Sequence, residues 1–188
     1  MHTGVRRRWW WRSLHPIHGL FGHTHHEQRC HDRMHLRRAH HDQHNTPIVL
    51  TSFELYTNPT DTASTVAEVY AKVGTFRNEY DPNHWLLLYR GQITGSPNGD
   101  TFSPLSPERF TQIELGMGST HAIHIVLSSP DLMYWYDEDR PTGSQLVCND
   151  DLKVKVGVAI REHPFVQGGS ALADVGFRGA LHYVRMGE

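Results

Sequence analysis

The chain of 188 residues and 21.6 kDa suits one ordinary domain and is short for two. Its 38% hydrophobic and 20% charged residues fall on the polar side of globular, and no apolar run approaches the eighteen or so residues of a membrane-crossing helix. The net charge of -2 hides a split: residues 1–45 carry eight Arg against three acidic residues and hold eleven of the sixteen His, whereas residues 46–188 carry ten basic and seventeen acidic ones. A basic arm on an acidic body points to an anionic partner for the arm.

In chain order, residues 1–45 show no sustained period and too few apolar residues to offset the entropy of ordering, so a disordered His- and Arg-rich arm is expected. Arg6, Arg7 and Arg8 beside Trp9, Trp10 and Trp11 suit a membrane interface, where indoles lie at headgroup depth and guanidinium groups pair with phosphate. The same residues would also stack on nucleic-acid bases. Leu14 to Phe21 is broken by His15, Pro16 and His18, so no usual signal peptide is read, and residues 1–26 lack acidic side chains as transit peptides do. His23, His25, His26, His31 and His35 offer imidazoles that take zinc, nickel or copper. A disordered arm does not fix their geometry, so such binding is expected to be adventitious and no cofactor is expected. Cys30 and Cys148 are too few for a disulfide framework; a bridge between arm and body is the minor reading.

From Thr46 onward the pattern predicts strands in a single antiparallel β-sandwich domain, residues 46–188. Ile48 to Tyr56 is β-branched and aromatic. Residues 62–73 carry Val66, Val69, Tyr70 and Val73 at helical spacing, yet their β-branched content favours a strand. Trp85 to Tyr89 is an apolar run closed by Arg90-Gly91, and His121 to Leu127 is a further strand. Leu152 to Ile160 alternates so regularly that one strand with one buried face is expected. Phe177 to Met186 supplies the last.

Chemistry-bearing motifs are sparse. Ser128, Ser129 and Ser144 lie in no nucleophile elbow, Cys148 has no adjacent base, and Gly116-Met117-Gly118 lacks the rest of a phosphate fingerprint, so a non-enzymatic protein is expected. The acidic stretches Asp137-Glu138-Asp139 and Asn149-Asp150-Asp151 read as solvated loops, although paired carboxylates would leave a glycoside hydrolase open as an alternative. The most informative stretch is 128–136, which places Tyr134, Trp135 and Tyr136 in succession. Neighbouring side chains on a strand face opposite ways, so at least one ring must meet solvent.

The body resembles the actinoporin-like pore-forming cytolysins and their fungal lectin relatives. Ser128-x-Pro130 followed by Trp135-Tyr136 is similar to that family's phosphocholine loop. Leu87-Leu88-Tyr89-Arg90-Gly91-Gln92 and Tyr70-Ala71-Lys72-Val73-Gly74-Thr75 resemble two of its strand ends. The resemblance implies a secreted protein that binds membrane lipid headgroups or glycans, associates with its own copies and opens pores. Ser128, Pro130, Tyr134, Trp135, Tyr136 and Lys72 would then touch the ligand. The family's Tyr-rich helix has no counterpart between Ile160 and Phe177, and Val73 stands where the family has Ser. A different class stays open: a capsid-like assembly protein whose basic arm packs nucleic acid.

Overall fold

The computed structural model describes residues 47–57, 65–76, 81–95, 102–129, 132–136, 139–160 and 171–187, together with the backbone of residues 7–8. The strands are β1 (Arg7–Arg8), β2 (Ile48–Leu55), β3 (Thr65–Val73), β4 (Leu86–Ile93), β5 (Ser103–Pro104), β6 (Ile113–Leu115) and β7 (His121–Leu127). They continue with β8 (Tyr134–Tyr136), β9 (Gln145–Cys148), β10 (Lys153–Lys155), β11 (Gly157–Ile160), β12 (Ala171–Phe177) and β13 (Gly179–Arg185). All pairings are antiparallel. Within the segment 62–73, Thr65–Val73 forms strand β3, because alternate residues Ala67, Val69 and Ala71 are buried while Glu68, Tyr70 and Lys72 face outward. The helical spacing of its valines is incidental.

Two sheets face each other. One runs β1-β13-β2-β5, with β6 also on β2; the other runs β4-β3-β7. Leu50, Phe53 and Leu55 of β2 meet Ala67, Val69, Leu88, Tyr89 and Ile93 in one buried cluster that includes Leu105 and Phe110. Strand β2 changes which parity faces inward at Thr51, where the register with β13 slips between His182 and Tyr183. The extra residue makes a bulge. Leu50 and Phe53 therefore both reach the core although three residues apart, and Thr51 Oγ1 donates to His182 O at 3.0 Å.

Two expected boundaries move. Arg90-Gly91 does not close β4, which runs on to Ile93 because Arg90 lies on the outer face opposite Glu68 and pairs with it at 3.0 Å. Leu152 to Ile160 is not one strand. Val156, almost fully buried, donates its N–H to Ser144 O and accepts from Gly143 N, so the chain leaves β9 there and β11 pairs with β12 instead. A smaller sheet, β11-β12-β8, and the hairpin β9-β10 complete the domain. The space between that hairpin and β12–β13, lined by Leu146, Leu152, Val154, Phe177 and Leu181, is about 20 Å³. That is room for no more than one water.

Cys148 is disulfide-bonded. The chain's other cysteine, Cys30, lies outside the described residues, and the preference for unbridged cysteines is corrected for Cys148. Arg7 and Arg8 lie opposite Tyr183 and His182 on β13. Arg6, Trp9, Trp10, Trp11, His23, His25, His26, His31, His35 and Pro130 also fall outside the described residues.

Candidate functional site: the aromatic strand

Strand β7 is followed by Ser128, whose side chain is spent on structure. Its N–H donates to Val66 O, while its Oγ accepts from Val66 N at 2.9 Å and lies 3.0 Å from Thr65 Oγ1. Ser129 Oγ also meets Thr65 Oγ1, at 2.8 Å. These bonds pin the departure of the loop to the start of β3. The chain lands again at Leu132, bridged to Thr57, and Met133 N donates to Tyr56 O. Tyr134, Trp135 and Tyr136 then pair as an edge strand with Phe177, Gly176 and Val175.

Alternation on this strand behaves as the residue order predicts. Tyr134 is 44% and Tyr136 48% exposed, and Trp135 turns the other way. The missing side chain of Gly176 admits the indole: a Cβ there would lie 3.4 Å from Trp135 Cε3 and 3.0 Å from Leu146 Cδ1. Arg140 covers the indole with its guanidinium carbon 5.5 Å from a ring centroid and donates to Leu146 O at 3.2 Å. Trp135 is thus a packed residue. The two tyrosines, about 7 Å apart along one strand face, are the accessible ones.

Lys72 does not join them. It stands opposite Ala122, with Nζ 5.1 Å from the Trp85 ring. Ser128 bonds to Val66, six residues earlier on β3, so the two ends are separated by about 20 Å of strand. Of the six residues proposed for one ligand, Lys72 and Ser128 thus lie at opposite ends of β3, Tyr134, Trp135 and Tyr136 lie on the separate β11-β12-β8 sheet, and Pro130 is outside the described residues.

No protein-family model, no curated protein and no solved structure matches this chain. The likeness to the cytolysins thus remains one of short motifs.

Of the acidic stretches, Asp139 and Asp150 are exposed as solvated loops require, Asp137 and Glu138 lie outside the described residues, and Asp151 departs from that expectation. Asp151 is buried against Arg185, with Oδ1 2.7 Å from Nη2, and its Oδ2 accepts from Tyr183 Oη at 2.8 Å. Asn149 Oδ1 accepts from the N–H groups of Asp151 and Leu152. This loop is an anchor, and its carboxylate is neutralised in place. No group of three or more His, Cys, Asp or Glu among the described residues is placed to hold a metal. One residue that sequence reasoning passed over is Arg178. It sits within the run expected as the final strand, where nothing in the order of residues marks it. In space its guanidinium carbon lies 3.6 Å from the centroid of Tyr56.

Proposed function

We propose that the protein is a non-enzymatic binding protein that receives a membrane lipid headgroup or a sugar on the paired rings of Tyr134 and Tyr136. The observation that carries this reading is the exposure of both phenols on one face of an edge strand whose middle residue, Trp135, is turned away and packed. Two ring faces held on a short strand offer π-density to a quaternary ammonium or an apolar surface to a pyranose, with hydroxyls at the rim. Membrane contact by the arginines and tryptophans at 6–11, assembly of copies and pore formation extend the same reading.

Flotation with phosphatidylcholine vesicles and binding to a glycan array test it, each with the native chain and with Tyr134→Ala/Tyr136→Ala. Binding in at least one assay, lost in the double variant while the melting temperature holds, supports the reading. Equal binding by both proteins, or none by the native chain in either assay, removes it. Dye release from the same vesicles tests pore formation separately.

A further inference from the structure

We infer that Cys148 is joined to Cys30, and that this disulfide is a redox-cleavable strap pinning the basic arm, residues 1–45, to the body beside β13 until a dithiol releases it.

Two independent observations set the strap. Cys148 is disulfide-bonded, and the chain has one other cysteine, Cys30, so within a single chain that residue is the partner. The arm is also attached at a second point, where β1 pairs with β13 through Arg7–Tyr183 and Arg8–His182. Both attachments converge on Tyr183. Asn149, the neighbour of Cys148, donates through Nδ2 to Tyr183 Oη at 2.8 Å, and Tyr183 is the ladder partner of Arg7. Charge agrees with docking: the arm carries eight Arg against three acidic residues, and the body ten basic against seventeen acidic ones.

The setting of Cys148 suits exchange better than a permanent staple. It ends β9, in a hairpin of two strands outside the main core, and is half-buried. Gln145 Nε2 donates to its sulfur at 3.3 Å, and Lys153 stands directly opposite on β10. A donor and a cation beside a sulfur stabilise the thiolate that departs when the bond is cleaved. In that step a thiolate of the dithiol attacks one sulfur of the bridge, and the S–S electron pair leaves with the other. The second thiol of the reductant then displaces the remaining cysteine. Two electrons pass to the bridge, each cysteine takes up a proton, and the reductant ends as an internal disulfide.

Tether length sets what release does. With the bridge closed, β1 is held to its nearest fixed point by residues 9–29; with it open, by residues 9–47, nearly twice the length. Effective concentration falls with about the 3/2 power of tether length, so β1 should dock about two- to threefold more weakly after reduction. The change is larger for residues near Cys30, which pass from a fixed point to the middle of a free tether. None of this depends on the ligand taken by Tyr134 and Tyr136.

The test combines peptide mapping of the full chain without reductant, trypsin digestion with and without dithiothreitol, and amide hydrogen exchange on β13. The expected result is a monomer whose Cys30 and Cys148 peptides are cross-linked. Trypsin should cut at Arg29 and Arg33 at least about fivefold faster after reduction, and equally fast in Cys30→Ser without reductant. Exchange of the β13 amides that face β1 should rise about two- to threefold in both cases. Arg8→Pro, which cannot donate to the ladder, should raise that exchange with the bridge intact. Two free thiols in the chain isolated without reductant, or a dimer joined Cys148 to Cys148, overturns the inference. Equal trypsin cutting of the oxidised and reduced chains overturns it too.

Discussion

Arg185 approaches Asp151 through two nitrogens, Nε at 2.9 Å and Nη2 at 2.7 Å from the same oxygen, Oδ1. Both side chains are nearly out of solvent, at 11% and 6% exposure. Tyr183 Oη donates to the second carboxylate oxygen and accepts from Asn149 Nδ2 at 2.8 Å, so four side chains fasten the turn after β9 onto β13. Breaking one partner strands a buried charge, which costs about 3–5 kcal/mol. Asp151→Ala should lose that much in urea unfolding. Asp151→Leu/Arg185→Met, which removes both charges, should lose clearly less than Asp151→Ala alone. Equal losses would mean that the pair is not desolvated.

The same cluster dictates an alkaline limb. Burial first, and then the hydrogen bond to Asp151, push the Tyr183 hydroxyl up to about 12 from an ordinary 10. Tyr70 is pushed up to about 12 by burial and by its 2.5 Å bond to Glu68. A folded pKa above the unfolded one gives stability that is complete below pH 10 and drains away as pH rises to 12, because the unfolded chain releases its protons first. For Tyr183 the loss across that window is on the order of 2 kcal/mol. Tyr183→Phe should be less stable at pH 7 and flatter between pH 10 and 12. A native slope that matches the Phe variant would refute the shift.

Much of the fold was legible because periodicity reports burial directly. Strand β7 occupies His121–Leu127 as the pattern predicts, and the alternation at 134–136 places Trp135 apart from its neighbours. Periodicity does not report partners. Leu152 to Ile160 keeps one alternation across Val156 while its hydrogen bonds pass from β9 to β12, and no residue type marks that exchange. The site was half legible for the same reason. Lys72 and Ser128 flank β3 and β7 in sequence motifs that suggest one pocket, but the antiparallel register carries them to opposite ends. Arg178 was invisible because its stack depends on Tyr56, far away in the chain.

Gly179 illustrates a residue fixed by close approach. It faces Leu55 across the β13–β2 ladder, where a methyl group would overlap both the Glu54 carbonyl oxygen and the Phe177 ring. Backbone oxygen cannot swing aside as a side-chain tip can. Gly179→Ala should therefore cost about 2–3 kcal/mol despite alanine's smaller entropy loss on folding. Gly91 is the internal control, because its nearest neighbour is the Tyr89 hydroxyl at 2.7 Å, the far end of a side chain. Gly91→Ala should cost less than Gly179→Ala because a side chain and not backbone must give way, although the Tyr89 ring that has to shift is itself buried. Comparable losses in thermal unfolding would contradict the ranking.

Asp174 is the single described residue other than glycine with positive φ, at 61°. It occupies the bulge where Val158 of β11 meets two residues of β12, since the register passes from Gly157–Val175 to Ala159–Leu172. The left-handed conformation is tolerated by Asp and Asn better than by most side chains. Here it is held by a reciprocal clasp: Asp174 Oδ1 accepts from Thr142 N at 2.6 Å and from Thr142 Oγ1 at 3.0 Å, while Asp174 N donates to Thr142 Oγ1 at 2.9 Å. Three substitutions separate strain from bonding. Asp174→Asn keeps the conformation and an acceptor and should stay within about 1 kcal/mol of native. Asp174→Gly relieves the strain but forfeits the carboxylate bonds, for a loss of about 1–2 kcal/mol, and Asp174→Ala meets both penalties, about 2–3 kcal/mol. Thr142→Val combined with Asp174→Ala should cost less than the two single losses added, because both cut the same clasp. Strict additivity in denaturant unfolding would show that the turn at 142 and the bulge at 174 are held independently.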